Sequence, residues 1–394
     1  MMEKELKAPK LRFPGFTDDW EQRKLVNCFK ERTERCAEGE LIAVTINSGV
    51  VKASDLNRNN NSSEDKSHYK VVKKNDIAYN TMRMWQGASG YSKYDGILSP
   101  AYTVAIPNSE IDSVFFSYMF KRNDLIHEFK INSQGLTSDT WNLKFQMFSN
   151  IKVNVPIYEE QKKIGLFFSE IDNHITLHQR KLDTLKKLKK GFLQKMFPKN
   201  GESVPEIRFP GFTDAWEQRK FGDVFNEYSE KKHPELPALT IIQGTGTILR
   251  DESDRKLQYD KASLVNYKLV NKDDLIVHLR SFEGGLEKAN SEGIVSPAYH
   301  IFHGENTDTR FYYPFFRSRR FIDVLLKPHV YGIRDGKSID IEGMKTISIP
   351  VPSYEEQEKV GDFIEKLDNL ITLHQRKLDT LKKFKQGMLQ QMFI

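Results

Sequence analysis

A 4-3 spacing of apolar residues runs through Tyr158–Phe197 and returns 196 residues later in Tyr354–Phe393. This spacing is typical of the a/d seam of a helix that packs lengthwise on another helix. At 1.5 Å per residue, each predicted helix is a rod roughly 58 Å long. The seam positions are Ile164, Phe168, Ile171, Ile175, Leu182, Leu185, Phe192 and Met196 in the first copy, and Val360, Ile364, Leu367, Ile371, Leu378, Leu381, Met388 and Met392 in the second.

The flanks of both segments favour the same interpretation. Neither segment contains Pro, and Pro156 and Pro352 stand just before them. Each begins with Glu-Glu in its first turn, which suits the positive end of a helix dipole. The obvious partner for each seam is the other seam, so we expect an antiparallel coiled coil. His178 and His374 fall on this seam, where we interpret them as polar residues that set the register rather than as metal ligands or catalytic groups.

The repeat extends beyond the helices. The segment RFPGFTDDWEQRK at Arg12–Lys24 returns with one substitution as RFPGFTDAWEQRK at Arg208–Lys220. The chain is therefore predicted to consist of two tandem pseudo-symmetric units, each a globular domain followed by a long helix. The predicted limits are 1–157 for the first domain, 158–197 for its helix, 198–353 for a linker with the second domain, and 354–394 for the second helix.

The globular domains between these repeats have an α+β pattern. Leu41–Val51 and Leu239–Leu249 are both predicted to be strands that end at Gly. Gly96–Pro107 and Gly293–Phe302 are predicted strands whose internal Pro indicates a kink or a sheet edge. The remaining predicted elements are helices at Ser113–Phe129 and Arg310–Lys327 and closing strands at Ile151–Val155 and Ile347–Val351.

Charge and cysteine content narrow the class of protein. The formal net charge of +6 favours an anionic partner, although the lysines of the helices supply much of it. Cys28 and Cys36 lack a second Cys pair or a close His pair, so we predict a reduced chain without a zinc site. No run of 18 apolar residues is present, which predicts no membrane span. We expect a cytoplasmic protein with no membrane partner.

The chain contains none of the common catalytic motifs. The chain has no Walker loop, no His-Glu-x-x-His, no Asp/Asn-Pro-Pro-aromatic tetrad and no paired acids followed by Lys. Gln243–Gly246 contains Gly-x-Gly but lacks the third Gly and the helix of a nucleotide loop, so we predict a turn there. No catalytic residue and no metal ligand are predicted. Two alternatives stay open at this stage, namely an enzyme with strongly diverged motifs and a coiled-coil scaffold that binds no DNA.

The most informative contrast lies between the helices and the domains. ITLHQRKLDTLKK is identical over 13 residues at Ile175–Lys187 and Ile371–Lys383, whereas the domains have diverged. Seam packing constrains only about four of these positions. A recent duplication would explain the identity of the helices but not the divergence of the domains. We predict instead that both helices bind one kind of partner, through Gln179, Arg180, Lys181 and Asp183 and through Gln375, Arg376, Lys377 and Asp379.

Two pairs of polar and aromatic loops are the candidates for DNA contact. Arg, Gln, Ser and Thr side chains read base edges, and Lys side chains contact phosphates. Such loops also occur on surfaces that bind nothing, but here their chemistry differs at matching places in the two domains. The candidates are Arg83, Trp85, Gln86, Tyr91, Lys93, Gln134, Thr137 and Ser138 in the first domain, and Arg280, Phe282, Lys288, Tyr331, Arg334 and Lys337 in the second.

The paired RFPGFTD-x-WEQRK signatures, the VPIYEEQKKIG and VPSYEEQEKVG segments and the two LHQRKLDTLKK helices resemble the specificity subunit of type I restriction–modification systems. The resemblance covers essentially the whole chain. It implies that the globular domains are target-recognition domains, each reading one half of a bipartite double-stranded DNA sequence. Because target domains vary widely in this family, the resemblance assigns no base contact to any residue here.

The same resemblance implies the partners. The helices would form a spacer and dock two methyltransferase subunits, which would bind S-adenosylmethionine and methylate adenine N6. Endonuclease/translocase subunits could then join the complex. The chain itself would be non-catalytic and would hold no cofactor.

Overall fold

The computed structural model describes residues 8–56, 63–199, 202–253, 261–332 and 337–394. The chain forms two compact units, and each combines one globular α+β domain with parts of two long helices. One unit comprises Met1–Arg180 with Gln375–Ile394, and the other comprises Lys181–His374.

The first domain is built on a four-stranded antiparallel sheet. Its elements, followed by the first long helix, are β1 (Glu21–Lys24), β2 (Phe29–Glu31), β3 (Ile42–Thr45), β4 (Gly49–Lys52), β5 (Lys70–Val72), β6 (Ile77–Asn80), β7 (Ser89–Tyr91), β8 (Gly96–Leu98), β9 (Tyr102–Pro107), α1 (Ser113–Met119), α2 (Asn123–Ile131), α3 (Phe145–Phe148), β10 (Lys152–Val155) and α4 (Tyr158–Lys195). The sheet has the order β2-β9-β6-β7, and β1–β10, β3–β4 and β5–β8 form two-stranded pairs.

The second domain has the same architecture. Its elements are β11 (Glu217–Lys220), α5 (Phe221–Val224), β12 (Phe225–Tyr228), β13 (Leu239–Ile242), β14 (Gly246–Leu249), β15 (Lys268–Val270), β16 (Leu275–Val277), α6 (Ser281–Gly284), β17 (Glu287–Lys288), β18 (Gly293–Val295), β19 (His300–Gly304), α7 (Thr309–Phe316), β20 (Val330–Tyr331), β21 (Ser338–Ile339), α8 (Ile341–Lys345), β22 (Ser348–Val351) and the second long helix α9 (Tyr354–Gln391). The sheet order β12-β19-β16-β17 and the pairs β11–β22, β13–β14 and β15–β18 repeat those of the first domain.

The structure corrects several of the predicted elements. Leu41–Val51 is a hairpin of β3 and β4 rather than one strand, because the Ser48 amide donates to Thr45 Oγ1 over 2.9 Å and the chain reverses. Leu239–Leu249 is the corresponding hairpin of β13 and β14. Each Pro-containing segment divides at its Ser-Pro-Ala into two strands that belong to different sheets. The predicted helix of the first domain is likewise two helices, α1 and α2.

The long helices α4 and α9 follow the predicted seam. Lys189 Nζ lies 2.5 and 2.8 Å from the carboxylate oxygens of Asp368, and Lys385 Nζ lies 2.6 and 2.8 Å from those of Asp172. The first pair joins the C-terminal part of α4 to the N-terminal part of α9, and the second pair joins the opposite ends. The helices are therefore antiparallel, and the predicted α+β fold with an antiparallel coiled coil is confirmed. The seam side chains Ile164, Phe168, Ile171, Leu182, Met196, Val360, Ile364, Leu367, Leu378 and Met392 are buried.

The repeated N-terminal signature fastens each domain to the first turn of its helix. Arg12 donates to both carboxylate oxygens of Glu160 over 2.7 and 2.8 Å, and Arg208 donates to Glu356 over 2.6 and 2.7 Å. Both carboxylates are buried, so these are two-point, charge-assisted bonds in a region of low water access. The Trp216 indole adds a third donor to Glu356 at 2.9 Å.

The next residues of each long helix hold the domain's own helix. The Gln161 side chain accepts a hydrogen bond from the backbone N–H of Asp112, the residue that caps α1. Gln357 accepts in the same way from Asp308, which caps α7. Gly165 allows the close approach, because a Cβ there would lie 3.0 Å from Asp112 Oδ1. The second Glu, the Gln and the Gly that the two helix starts share are thus explained by packing.

The C-terminal end of a long helix enters each domain core. In the first unit, the ring of Phe393 stacks on Phe115 at a centroid distance of 5.1 Å and meets Trp20 edge-on at 6.2 Å. In the second unit, Phe197 packs in the same manner on Phe311 at 5.0 Å. Each domain therefore contacts the N-terminal end of one long helix and the C-terminal end of the other.

We predict that Arg12→Ala destabilises the protein more than Arg208→Ala. Each substitution leaves a buried carboxylate without its guanidinium, which costs about 3–5 kcal/mol. Glu356 keeps its bond from Trp216, whereas no second side-chain donor reaches the carboxylate opposite Arg12 within the described residues. Urea unfolding measures the difference, with the exposed Lys10→Ala as the control that leaves the midpoint unchanged. Equal shifts for the two arginine variants would contradict the prediction.

Candidate nucleic-acid interface

Three loops of the first domain lie together, and Lys121 joins the first two of them. They are the 45–49 turn between β3 and β4, the 81–88 loop between β6 and β7, and the 134–142 loop that follows α2. Lys121 Nζ donates to the carbonyl of Ile46 over 3.0 Å and to that of Gly87, which joins the first two loops. Burial lowers the pKa of Lys121 to about 8, and the two carbonyls replace part of the water that its ammonium group has lost.

Two tryptophans join the third loop to the second. The rings of Trp85 and Trp141 meet edge-to-face with centroids 5.1 Å apart, and Lys130 Nζ lies 5.2 Å from the Trp141 centroid. The Trp85 indole donates to the carbonyl of Met82 over 3.0 Å, which fixes its orientation. The three loops therefore form one continuous surface, called here the first reading surface.

The second domain assembles the equivalent loops around a buried carboxylate. Glu287 on β17 accepts hydrogen bonds from the amides of Gly244 and Gly246 over 2.8 and 3.2 Å, from the Tyr313 hydroxyl over 2.7 Å, and from the Arg317 guanidinium. Its side chain is fully buried. These bonds fix the 242–246 turn between β13 and β14. The Gly-x-Gly of Gln243–Gly246 is a turn, as the sequence predicts.

The other two loops of the second domain lie against this turn and each other. The Gln243 side chain lies so close to Gly284 in α6 that a Cβ at that glycine would overlap its amide. Lys337 Nζ, beside β21, lies 5.8 Å from the ring centroid of Phe282 in α6. Burial lowers the pKa of His278 to about 4, so its imidazole is neutral at pH 7 and accepts from the Arg280 amide. The 242–246 turn, the 278–286 loop and the paired strands β20 and β21 form the second reading surface.

Most of the residues proposed for DNA contact lie on these two surfaces. The first carries Arg83, Trp85, Gln86, Gln134, Thr137 and Ser138, and the second carries Arg280, Phe282, Tyr331 and Lys337. Arg83 and Arg280 occupy equivalent backbone positions, each with φ near −120° immediately before a short helical turn (φ −127° and −116°). Both arginine side chains are exposed. Arg334 lies outside the described residues.

The structure separates two candidates from these loops. Tyr91 and Lys93 lie at the far end of β7, where Lys93 Nζ is 5.7 Å from the Tyr91 ring centroid. Lys288, in contrast, lies against the 242–246 turn, because a Cβ at Gly246 would be 2.7 Å from the Lys288 carbonyl oxygen, and its Nζ is 5.5 Å from the Tyr313 ring centroid. The 45–49 and 242–246 turns also belong to the surfaces, although neither was among the predicted contact sites. The sequence pattern predicted the 45–49 segment as part of a strand, and its Gly49 and hydroxyl residues are the features that could have indicated a turn.

The helix residues predicted to bind a partner are exposed or half-buried, outside the packed seam. Arg180, Lys181 and Asp183 are exposed on α4, as are Arg376, Lys377 and Asp379 on α9, while Gln179 and Gln375 are half-buried. Leu182 and Leu378, which lie among them, are 1% exposed. Gln375 Nε2 donates to the Asp379 carboxylate over 3.1 Å, one turn along the helix. These side chains thus surround a buried seam without being part of it.

The described residues hold no group of His, Cys, Asp or Glu that could bind a metal ion. Cys28 is buried, which raises the pKa of its thiol to about 12, and Cys36 is exposed; both are free thiols. No helix within the described ranges is long and apolar enough to span a membrane.

Residues 17–187 and 213–383 each match the family of type I restriction modification DNA specificity domains. The chain belongs to this family. It is 26% identical over 343 residues to the type I restriction enzyme MjaVIII specificity subunit of Methanocaldococcus jannaschii, which covers 81% of this chain and 78% of that protein. The crystal structure of a type I restriction–modification S subunit from M. genitalium has the same fold, with a TM-score of 0.60 at 14% identity over 98% of this chain and 99% of that one.

Membership of this family confirms the resemblance that the repeated motifs carry. The chain is a specificity subunit, the non-catalytic DNA-recognition component of a type I restriction–modification enzyme. The open alternative of a diverged catalytic protein is thereby set aside.

We predict that Glu287→Gln loosens the 242–246 turn of the second reading surface. The amide can accept at only one oxygen, so Gly244 or Gly246 loses its acceptor and Arg317 loses its counter-charge. A hydrogen bond to a charged group is worth about 1.5–3 kcal/mol, so amide hydrogen exchange of the turn becomes about tenfold faster or more. Mass spectrometry of peptides spanning the turn measures this, with the exposed Glu283→Gln in α6 as control. Unchanged exchange would mean that Glu287 does not hold the turn.

Proposed function

We propose that this specificity subunit recognises a bipartite double-stranded DNA target, with one half-site read by each reading surface. The observation that carries this proposal is the recurrence of the same three loops in both domains with different side chains. The scaffold that presents the loops is retained down to the strand order, whereas the groups presented differ. Two surfaces of this kind would select two different half-sites.

The exposed groups have the chemistry that base recognition requires. Arg83 and Gln86 lie side by side on the first surface, and an arginine fork fits guanine while a glutamine amide fits adenine in the major groove. The second surface offers Arg280 with Gln243 and Tyr331. Lys130 and Lys337 are suited to phosphate contact, which adds affinity without sequence preference.

We also propose that the two long helices dock methyltransferase subunits, and their exposed repeat supports this. Identical exposed side chains on α4 and α9 would dock two copies of one partner, and a methyltransferase subunit is the partner that the family's enzymes require. In this assembly S-adenosylmethionine would bind the methyltransferase subunits. Endonuclease/translocase subunits would join them, and the complex would act on DNA in the cytoplasm.

We predict that Arg83→Ala weakens or relaxes recognition of one half-site only, and that Arg280→Ala does so for the other. Loss of a bidentate guanine contact costs about 1–3 kcal/mol. Methylation mapping of a host that carries each variant, with binding of the reconstituted complex to single-base variants of the target, measures the effect. Each variant is the matched control for the other.

A structural role would give a different result. The exposed Arg83 side chain donates to Gln86 over 3.4 Å and makes no other side-chain bond within the described residues, so we expect its replacement to leave the melting temperature unchanged. A fall in melting temperature would assign Arg83 to the fold. Changes in both half-sites from a single variant would contradict the assignment of one surface to each half-site.

We predict that reversing charge on one helix reduces docking of a methyltransferase subunit. With Arg180→Glu and Lys181→Glu combined, we expect loss of one bound subunit; with Arg376→Glu and Lys377→Glu added, we expect loss of both. Sedimentation of the reconstituted complex counts the subunits. Lys190→Glu is the control, because it is exposed on α4 outside the identical segment and its counterpart is not Lys. Full occupancy in the fourfold variant would exclude this surface.

A further inference from the structure

A fully exposed leucine stands at the tip of the first reading surface. Leu136, in the 134–142 loop, is 100% exposed. Burying a leucine side chain is worth about 1.5–3 kcal/mol, so a folded chain gains nothing from holding one in water. Single exposed apolar residues are common. Exposure alone therefore does not give Leu136 a binding role, and the position of the side chain decides whether it has one.

The loop that carries Leu136 is braced on both sides. The backbones of Gln134 and Asn142 exchange two hydrogen bonds, of 3.0 and 2.8 Å. Across the tip, Thr140 Oγ1 donates to the Thr137 carbonyl over 2.9 Å. Gly135 has a φ of +143°, and a Cβ there would lie 2.6 Å from the Thr140 carbonyl oxygen, so the tight turn requires glycine. The leucine is presented by a constrained tip.

The base of the loop places this tip beside the other candidate DNA contacts. Trp141, next to Asn142, packs on Trp85, which follows Arg83 by two residues. The polar neighbours of Leu136 within the loop are the exposed Gln134, Thr137, Ser138, Asp139 and Thr140, so the apolar group stands alone among polar ones, one of them a carboxylate. A protein-docking patch needs a contiguous apolar area, which this tip does not offer. A single aliphatic side chain among hydroxyls is suited to insertion between stacked bases.

We propose that Leu136 is an apolar wedge that enters the DNA of the first half-site and unstacks one base step. This inference rests on the proposed function of the first reading surface. Apolar side chains inserted between base pairs kink the duplex, and the cost of unstacking is offset by additional contact. Because pyrimidine–purine steps unstack most readily, the wedge also selects sequence at a step that no hydrogen bond reads.

The sequence of the second domain has a related feature. Gly135 followed by Leu136 corresponds to Gly332 followed by Ile333, at the equivalent loop and 197 residues later. Gly332 has a φ of +86°, and Ile333 lies outside the described residues. The two domains thus keep glycine followed by a branched aliphatic residue, although the flanking residues differ.

The test uses the complex of this chain with its methyltransferase subunits and a duplex carrying its mapped target. 2-Aminopurine replaces one base at a time in the first half-site, leaving out the methylated adenine because the methyltransferase itself can displace that base. We expect the fluorescence of one probe to rise on binding, which reports unstacking. In Leu136→Ala the rise is lost and binding weakens by about tenfold, the loss expected for one buried leucine contact.

Two variants separate insertion from other effects. Leu136→Met keeps a long apolar side chain and restores the fluorescence rise, whereas Ile131→Ala, an exposed aliphatic residue of the same domain, leaves the rise unchanged. No rise at any probe with the wild-type complex, or an equal rise with Leu136→Ala, overturns the wedge. If the wild-type complex shows no bipartite target at all, the proposed function fails, which methylation mapping reports separately from the fluorescence.

Discussion

Two buried ion pairs hold the repeated parts of this chain together. The guanidinium of Arg12 or Arg208 comes from the N-terminal signature, and the carboxylate of Glu160 or Glu356 comes from the first turn of a long helix. Each pair therefore closes a domain onto its own helix at the point where the domain begins and ends. Because either charge alone would be stranded in a dry site, both ends of each unit are tightly constrained. The residues between them are constrained mainly by the sheet and the core.

This constraint divides the repeated residues into two groups. The arginine, tryptophan, glutamate and glutamine of the signatures and helix starts are buried or hydrogen-bonded, so packing explains why both copies keep them. Arg180 and Lys181 of the helix repeat are instead exposed, so packing within the described residues does not explain why both copies keep them. The proposed docking of one shared partner on both helices would account for their retention. Sequence identity alone does not distinguish the two groups, whereas the position of each side chain does.

Periodic features of the fold could be predicted from the sequence, and contacts between distant segments could not. A seam that repeats for many turns gives the long helices and their antiparallel pairing. The 45–49 turn was predicted as part of a strand because its apolar flanks alternate like one continuous strand, whereas Gln243–Gly246 was predicted as a turn but not as part of a binding surface. The joining of the loops depends on Lys121 in one domain and Glu287 in the other. Neither residue belongs to a pattern, and neither resembles the other, so the reading surfaces could be predicted only as separate loops.

The different anchors of the two turns have a consequence for how new specificities arise. In the first domain a lysine holds the turn through the Ile46 carbonyl, while in the second a carboxylate holds it through the Gly244 and Gly246 amides. A turn transferred from one domain to the other would meet an anchor of the wrong polarity, and a buried charge would be left without partners. Turn and anchor are separated by more than forty residues in the chain (43 between Gly244 and Glu287), so they are inherited together only when a whole domain is exchanged. Evolution of target choice in this lineage is thus expected to proceed by recombination of intact domains, with stepwise substitution limited to side chains at the tips of the loops.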